Sequence, residues 1–178
     1  MDPIERLTPA HATPYRALML EAYERHPDAF TSSVAERSAL PLSWWEARLS
    51  EGPATPERVF GAFIDGRLSG VAGLSFESRE KTRHKATLFG MYVPPQARQH
   101  GLGQRLVHAV LDEAAARPGI ALVQLTVSQG NQAAQSLYER CGFVAFGLEP
   151  FAVRVHAGYV AKVHMWRRVG PVLDGTPA

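Results

Sequence analysis

Leu88-Phe89-Gly90-Met91-Tyr92-Val93-Pro94-Pro95-Gln96-Ala97-Arg98-Gln99-His100-Gly101-Leu102-Gly103 is the stretch on which the reading of this chain turns. Its first six residues form an apolar, strand-like run, and two prolines break it. From Gly101 onward Leu102, Leu106 and Val110, joined by Val107, Leu111 and Ala114, recur at the spacing of one helix face, and Pro118-Gly119 ends the helix. A strand that enters a glycine-rich turn and leaves as a helix exposes several backbone N–H groups at the positive end of the helix dipole. Such a turn is an anion cradle. Positions without side chains let phosphate oxygens approach the amides, and Arg98 can add charge-assisted hydrogen bonds. The pattern is neither a P-loop, which needs a Gly-Lys-Ser/Thr ending, nor the dinucleotide fingerprint, which needs a third glycine.

Upstream, Val59 to Ile64 and Leu68 to Glu77 flank Asp65-Gly66, the dipeptide of a two-residue type I′ hairpin. After a charged connection from Ser78 to Lys85, Ala86 to Val93 gives a third adjacent strand, so a meander leads into the cradle. At the start of the chain, Ile4 to Leu7 reads as a short strand. Thr8-Pro9 and Thr13-Pro14 each offer an N-cap followed by proline, and only one can start the next helix cleanly. Tyr15, Leu18, Met19 and Ala22 recur at helical spacing, so that helix runs to about Arg25, where His26-Pro27 stops it. The segment from Asp28 to Pro41 has no regular pattern, and a second helix is expected from Leu42 to Ser50, carrying Trp44 and Trp45.

Downstream, Ala121 to Val127 is an apolar, β-branched run, and Asn131 to Cys141 is helical with Ala134, Leu137, Tyr138 and Cys141 on one face before Gly142 closes it. Phe143 to Leu148 and Tyr159 to Arg167 give two final strands. In the latter Tyr159, Ala161, Val163 and Met165 alternate with Val160, Lys162, His164 and Trp166. The sum is a mixed α/β (α+β) fold: a largely antiparallel, twisted sheet of about six to seven strands flanked by helices. A length of 178 residues fits one domain, taken as residues 1–169, with residues 170–178 as a flexible tail.

Composition narrows the class. Apolar residues at 46% and charged residues at 20% are ordinary for a globular protein, and no run of 18 or more apolar residues is present. The first residues carry neither a basic region nor an apolar core of a secretory signal, and one cysteine, Cys141, cannot form an internal disulfide; a cytoplasmic protein is expected, with no membrane partner. A formal charge of +2 with scattered Lys and Arg makes nucleic acid an unexpected partner.

A second constellation makes the cradle specific: Val127-x-x-x-Asn131-x-x-Ala134-x-x-Leu137-Tyr138-x-x-x-Gly142-Phe143. With Arg98-x-x-Gly101-x-Gly103 before it, the chain resembles the GNAT superfamily of acyl-CoA-dependent N-acetyltransferases, closely over Leu88 to Phe143 and loosely over Ile4 to Arg167. Gln99-His100 stands where many relatives have a glycine and a basic residue. The resemblance implies acetyl-CoA as co-substrate and no metal. It implies that the backbone of Met91, Tyr92 and Val93 pairs with the pantetheine arm as an added strand. It assigns Gln99, His100, Gly101, Leu102, Gly103 and Gln104, with Arg98, to the pyrophosphate, Asn131 to the pantetheine and Tyr138 to the CoA sulfur. A backbone N–H near Met91 or Tyr92 could stabilise the tetrahedral oxyanion. Asn131 read alone is a helix N-cap and Tyr138 a core aromatic; the first role is compatible with ligand binding.

Magnitudes bear on the chemistry so implied. A tyrosine near pKa 10 protonating a thiolate of pKa about 8.5 is uphill by about 2 kcal/mol. Making a lysine-like amine neutral at pH 7 costs about 4.6 kcal/mol, an α-amino group only about 1.4. A base therefore matters most for the first type. The strand Ala86 to Val93 holds no carboxylate, so Glu77 at the end of the preceding strand is the leading candidate, directly or through water. His84, His156 and His164 lie near strand ends, and Cys141 falls on an apolar helix face, where direct transfer needs no nucleophile. The histidine spacing and the single cysteine give no metal site. The expected function is acetyl transfer to a primary amine of a small molecule or peptide by direct attack in a ternary complex. A non-catalytic acyl-CoA sensor would keep the cradle and need no acid, and a nucleotide-binding protein would need no pantetheine arm. The acceptor segments, Phe30 to Trp45 and Phe151 to Trp166, carry no motif. Trp44 and Trp45, if exposed, and a free strand edge suggest a homodimer.

Overall fold

Asp65 and Gly66 take positive φ angles of 48° and 74°, the backbone of a type I′ turn, and this sets Ile64 opposite Arg67. The computed structural model describes residues 3–171, and this turn joins β2 (Glu57–Ile64) to β3 (Arg67–Phe76). β4 (Lys85–Tyr92) lies antiparallel on the far side of β3, and β1 (Ile4–Arg6) edges β2. The meander expected from the sequence is therefore present. β5 (Leu122–Ser128) runs parallel to β4, and the hairpin of β6 (Val144–Val155) and β7 (Gly158–Arg168) completes a sheet ordered β1-β2-β3-β4-β5-β7-β6. Residues 172–178, most of the expected tail, lie outside the described residues. No helix among the described residues is long and apolar enough to cross a membrane.

Five helices cover the sheet: α1 (Ala12–Arg25), α2 (Val34–Ser38), α3 (Leu42–Arg48), α4 (Leu102–Ala116) and α5 (Gln132–Arg140). Of the two threonine-proline pairs only Thr8-Pro9 supplies an N-cap; Thr13 lies inside α1, whose N-cap is His11. Thr8 starts a 3-10 turn over Pro9–His11, its N–H donating to His11 Nδ1 at 3.0 Å, and the turn runs into α1 with Pro14 in the first turn. α2 was not expected. It forms because Ser33 and Glu36 make a capping box: the Glu36 N–H donates to Ser33 Oγ at 3.2 Å and the Ser33 N–H to Glu36 Oε2 at 2.9 Å. β6 extends seven residues past the expected end at Leu148. Pro150 does not stop it, because β6 is an edge strand and a register shift between Glu149 and Val153 absorbs the proline.

Side chains divide by face. α4 lays Leu102, Leu106, Val107, Val110, Leu111 and Ala114 on one face, against Ala72 and Leu74 of β3 and Ala86 and Leu88 of β4. α1 and α3 lay Tyr15, Met19, Ala22, Tyr23, Trp45 and Leu49 on the other, against Val59 and Val71. β4 changes allegiance part-way. Val71 pairs with Tyr92 and Gly73 with Phe89, so three residues of β4 fill the span of two in β3. This is a bulge at Gly90, whose φ of 57° suits glycine. Alternation flips across it, so that Leu88 before it and Met91 and Val93 after it face the α4 core, while Phe89 and Tyr92 turn to α1.

The tryptophans correct one expectation. Trp45 is fully buried, edge-on to Tyr15 at 5.6 Å, and Trp44 is half-buried beneath the guanidinium groups of Arg37 and Arg48. Helical phase explains this: neighbours on a helix point about 100° apart, so one meets the core and the other its rim. They offer no exposed aromatic pair for a subunit contact. Trp45→Ala should destabilise the protein by about 3–5 kcal/mol in urea unfolding, and Trp44→Ala by much less.

Candidate functional site

β4 and β5 pair only from Lys85 to Thr87 with Leu122 to Gln124. Past the bulge at Gly90 β4 follows β3, and past Gln124 β5 follows β7, with which it stays paired through Ser128. The sheet therefore parts. A cavity of about 540 Å³ fills the opening, walled by Thr87 to Met91 on one side and Gln124 to Ser128 on the other. It is lined from both faces of the sheet: Asn131, Ala134 and Tyr138 of the α5 side, and Tyr23, Phe30, Arg37 and Arg48 of the α1–α3 side. On β7, Val163 and Met165 face the α4 core, which turns Lys162 and His164 to the α1–α3 side.

The glycine turn stands beside the α5 side. Pro95–His100 forms a 3-10 turn, and Gly101, with φ 65°, is the N-cap of α4. No side chain caps this helix, and Arg105 is the first residue whose N–H is taken within it, by the Gly101 carbonyl at 3.2 Å. The amides of Leu102, Gly103 and Gln104 are thus available to an anion. The two glycines serve different needs. A Cβ on Gly101 would meet nothing within 4 Å, so it is the left-handed conformation there that favours glycine, whereas a Cβ on Gly103 would come within 3.2 Å of the side-chain ends of Leu137 and Met91, a tight fit that those ends must shift to admit. Arg98 donates from Nε to the Val93 carbonyl at 3.0 Å and stands 3.4 Å from His26 Nε2, tying the turn to the end of β4.

Of the residues singled out from sequence, Met91, Asn131 and Tyr138 line the cavity. Asn131 is the N-cap of α5, its Oδ1 accepting the Ala134 N–H at 3.2 Å. Its Nδ2 has no partner among the described residues. Tyr92 and Val93 continue β4 past the cavity wall, the Tyr92 hydroxyl donating to Glu21 at 3.0 Å. Gln99, His100, Gly101, Leu102, Gly103 and Gln104 form the turn and first helical residues in unbroken order. The structure does not bring Glu77 to this group. Phe76 pairs with Ala86, so Glu77 sits exposed at the opposite end of β4, its N–H on the Lys85 carbonyl. Among the described residues no carboxylate lines the cavity.

Burial governs the titrating groups. Tyr138 is buried, and desolvation, reinforced by Cys141 nearby, pushes its phenol well above the ordinary value of 10.0. Lys162 is buried at 8% exposure, and desolvation lowers its ammonium, with Glu149 opposing. Its Nζ lies 3.5 Å from Thr31 Oγ1, and Ser128 Oγ donates to the Asp28 carbonyl; together they hold the strap of residues 28–32 across the α1–α3 side. The sequence assigns Arg37 and Lys162 to its two acceptor segments without singling out either residue, and Arg48 lies outside both. The signal available for Lys162 was its place among Val160, His164 and Trp166 on one face of an alternating strand. Arg37 and Arg48 offered none.

The model of the acetyltransferase (GNAT) family matches residues 17–143. A ribosomal protein bS18 alanine N-acetyltransferase of Escherichia coli (strain K12) is 42% identical over 108 residues, 61% of this chain and 69% of that protein. Among solved structures, a GNAT-family acetyltransferase from Streptococcus pneumoniae aligns with a TM-score of 0.85 at 23% identity, over 96% of this chain and 100% of that one. A Salmonella typhimurium structure solved with its cofactor acetyl-CoA aligns at 0.79 and 20% identity, over 100% and 99%. At these identities the structures show a shared fold. The family match runs from α1 to the end of α5 and so takes in both strands that part and the helix start beside them: the chain belongs to the acetyltransferase (GNAT) family.

Proposed function

We propose that this protein transfers an acetyl group from acetyl-CoA to a primary amine by direct attack within a ternary complex. The observation that carries the reading is the cavity through the parted sheet, which gives donor and acceptor separate faces from which to approach one point. On the donor face, the open amides of Leu102, Gly103 and Gln104, with Gln99, His100 and Gly101 before them, hold the pyrophosphate, as Arg98 steadies the turn. Asn131 offers Nδ2 to the pantetheine, and the backbone of Met91, Tyr92 and Val93 extends toward it. Acetyl-CoA supplies the activated acyl group. A new N–C bond forms as the C–S bond breaks, the amine proton leaves to water, the sulfur takes a proton from Tyr138, and water returns a proton to the Tyr138 oxygen.

Tyr138 suits an acid. A phenol pushed above its ordinary value stays protonated at neutral pH. The same burial makes the phenol a weaker acid, so its proton transfer to sulfur is more uphill than the reference value of about 2 kcal/mol unless the sulfur is desolvated with it. A sensor without turnover would need no such group.

Tyr138→Phe should lower kcat by about 10²-fold or more while calorimetry shows acetyl-CoA binding retained. Unchanged kcat removes the acid from Tyr138. Glu77→Gln should leave kcat within about twofold in the same thiol-release assay, since general-base effects are far larger. Stability responds to Lys162. Its folded-state pKa lies below the ordinary 10.5, so its penalty is complete below the folded value and fades as pH rises toward 10.5. Lys162→Met should therefore melt above wild type at pH 7, with the gap closing at alkaline pH.

A further inference from the structure

We propose that the acceptor is a small amine that itself carries an anionic group, a carboxylate or a phosphonate, bound on the α1–α3 side of the cavity by Arg37, Arg48 and Lys162. This rests on the acetyltransferase reading and names its acceptor. Three cationic side chains line the cavity on that side, and among the described residues no carboxylate lines it at all. The nearby acids are committed elsewhere. Glu57 pairs with Arg48 at 2.9 Å, Glu149 with His164 at 2.8 Å, and Glu36 caps Ser33 at the start of α2. Arg37 and Lys162 have no carboxylate within ion-pair distance among the described residues, although Glu36 and Glu149 act on them from further off, and the charged groups that line the space where an acceptor must lie are the cations.

The cations are also held in place. Arg37 and Arg48 sit 4.6 and 4.8 Å from the centroid of the same Trp44 ring, which fixes both and keeps two like charges close. Such an arrangement favours an anion, and a guanidinium recognises planar or tetrahedral oxyanions through paired donors. Size follows from the strap. Ala29, Phe30, Thr31 and Ser32 line the cavity on a strap held by Ser128 of β5 at the Asp28 carbonyl and by Lys162 of β7 at the Thr31 hydroxyl, and a volume of about 540 Å³ shared with the donor arm leaves room for a small molecule. Diamines and basic peptide tails bring ammonium groups toward Arg37 and Lys162 and are disfavoured.

The test is a thiol-release assay with L-leucine, L-methionine, L-glutamate and 1-aminoethylphosphonate, set against the amide and the decarboxylated amine of each amino acid and against putrescine. At least one acid should exceed its uncharged counterparts in kcat/KM by about tenfold or more, the usual worth of a charge-assisted contact; the carboxylate and phosphonate arms identify which oxyanion is preferred. Arg37→Gln should raise KM for that acid about tenfold with kcat within about threefold, and should not move KM for the decarboxylated amine. Equal or better turnover of amides, decarboxylated amines or putrescine overturns the proposal while leaving the acetyltransferase reading intact. If no amine is acetylated, that reading fails. Titrating the same acids into CoA-saturated protein then decides this one: heat lost in the Arg37→Gln variant supports it, and no heat overturns it.

Discussion

One extra residue in a strand governs this molecule. β4 keeps its pairing with β3 on both sides of the bulge at Gly90, while its pairing with β5 ends at Thr87, three residues before it. A sheet edge opened in the interior would ordinarily leave N–H and C=O groups unpaired at a cost of about 1–3 kcal/mol for each buried group. Here they border a cavity where water or a ligand can meet them. The bulge also reverses which face each β4 side chain takes, so Phe89 and Tyr92 close the α1 core just as Met91 and Val93 close the α4 core. Both cores stay sealed around an opening that passes between them.

What the sequence disclosed follows from how local its causes were. The glycine turn, the Asp65-Gly66 hairpin and the α5 cap at Asn131 depend on residues within a few positions of one another, and each appears where the spacing put it. α2 had a local signature too, in Ser33-Val34-Ala35-Glu36, but it lacks an apolar face long enough to announce a helix. Glu77 lies away from the cavity for a reason the meander already contained. The end of one antiparallel strand lies beside the start of the next, so a residue closing β3 must stand at the entry of β4, far from the end that opens. Arg37, Arg48 and Lys162 belong to three elements that only tertiary packing brings to one cavity, and no spacing could assemble them.

Charge differs between the two faces of the opening. At the α4 start the backbone supplies partial positive charge without a titrating group, suited to a ligand whose phosphates stay ionised throughout. On the other face Arg37, Arg48 and Lys162 line the cavity, and an ammonium brought there would be repelled. That repulsion has chemical use. A unit charge about 8 Å away in an effective dielectric of about 20 contributes about 2 kcal/mol, or about 1.5 units of pKa.

Set against the cost of deprotonation, this magnitude discriminates between acceptors. It exceeds the roughly 1.4 kcal/mol needed to neutralise an α-amino group at pH 7 and falls short of half the roughly 4.6 kcal/mol needed for a lysine-like amine. With no carboxylate among the described residues of the cavity to remove the proton, cations alone can prepare the first kind of nucleophile and not the second. A free amino acid starts from a higher amine pKa, because its own carboxylate holds the proton on its nitrogen, and a guanidinium that neutralises the carboxylate brings it back toward the α-amino case. The same arginine and lysine residues that would hold the acceptor would thereby take over the work of the missing base, and Tyr138 on the opposite face would be left with the single proton transfer to sulfur.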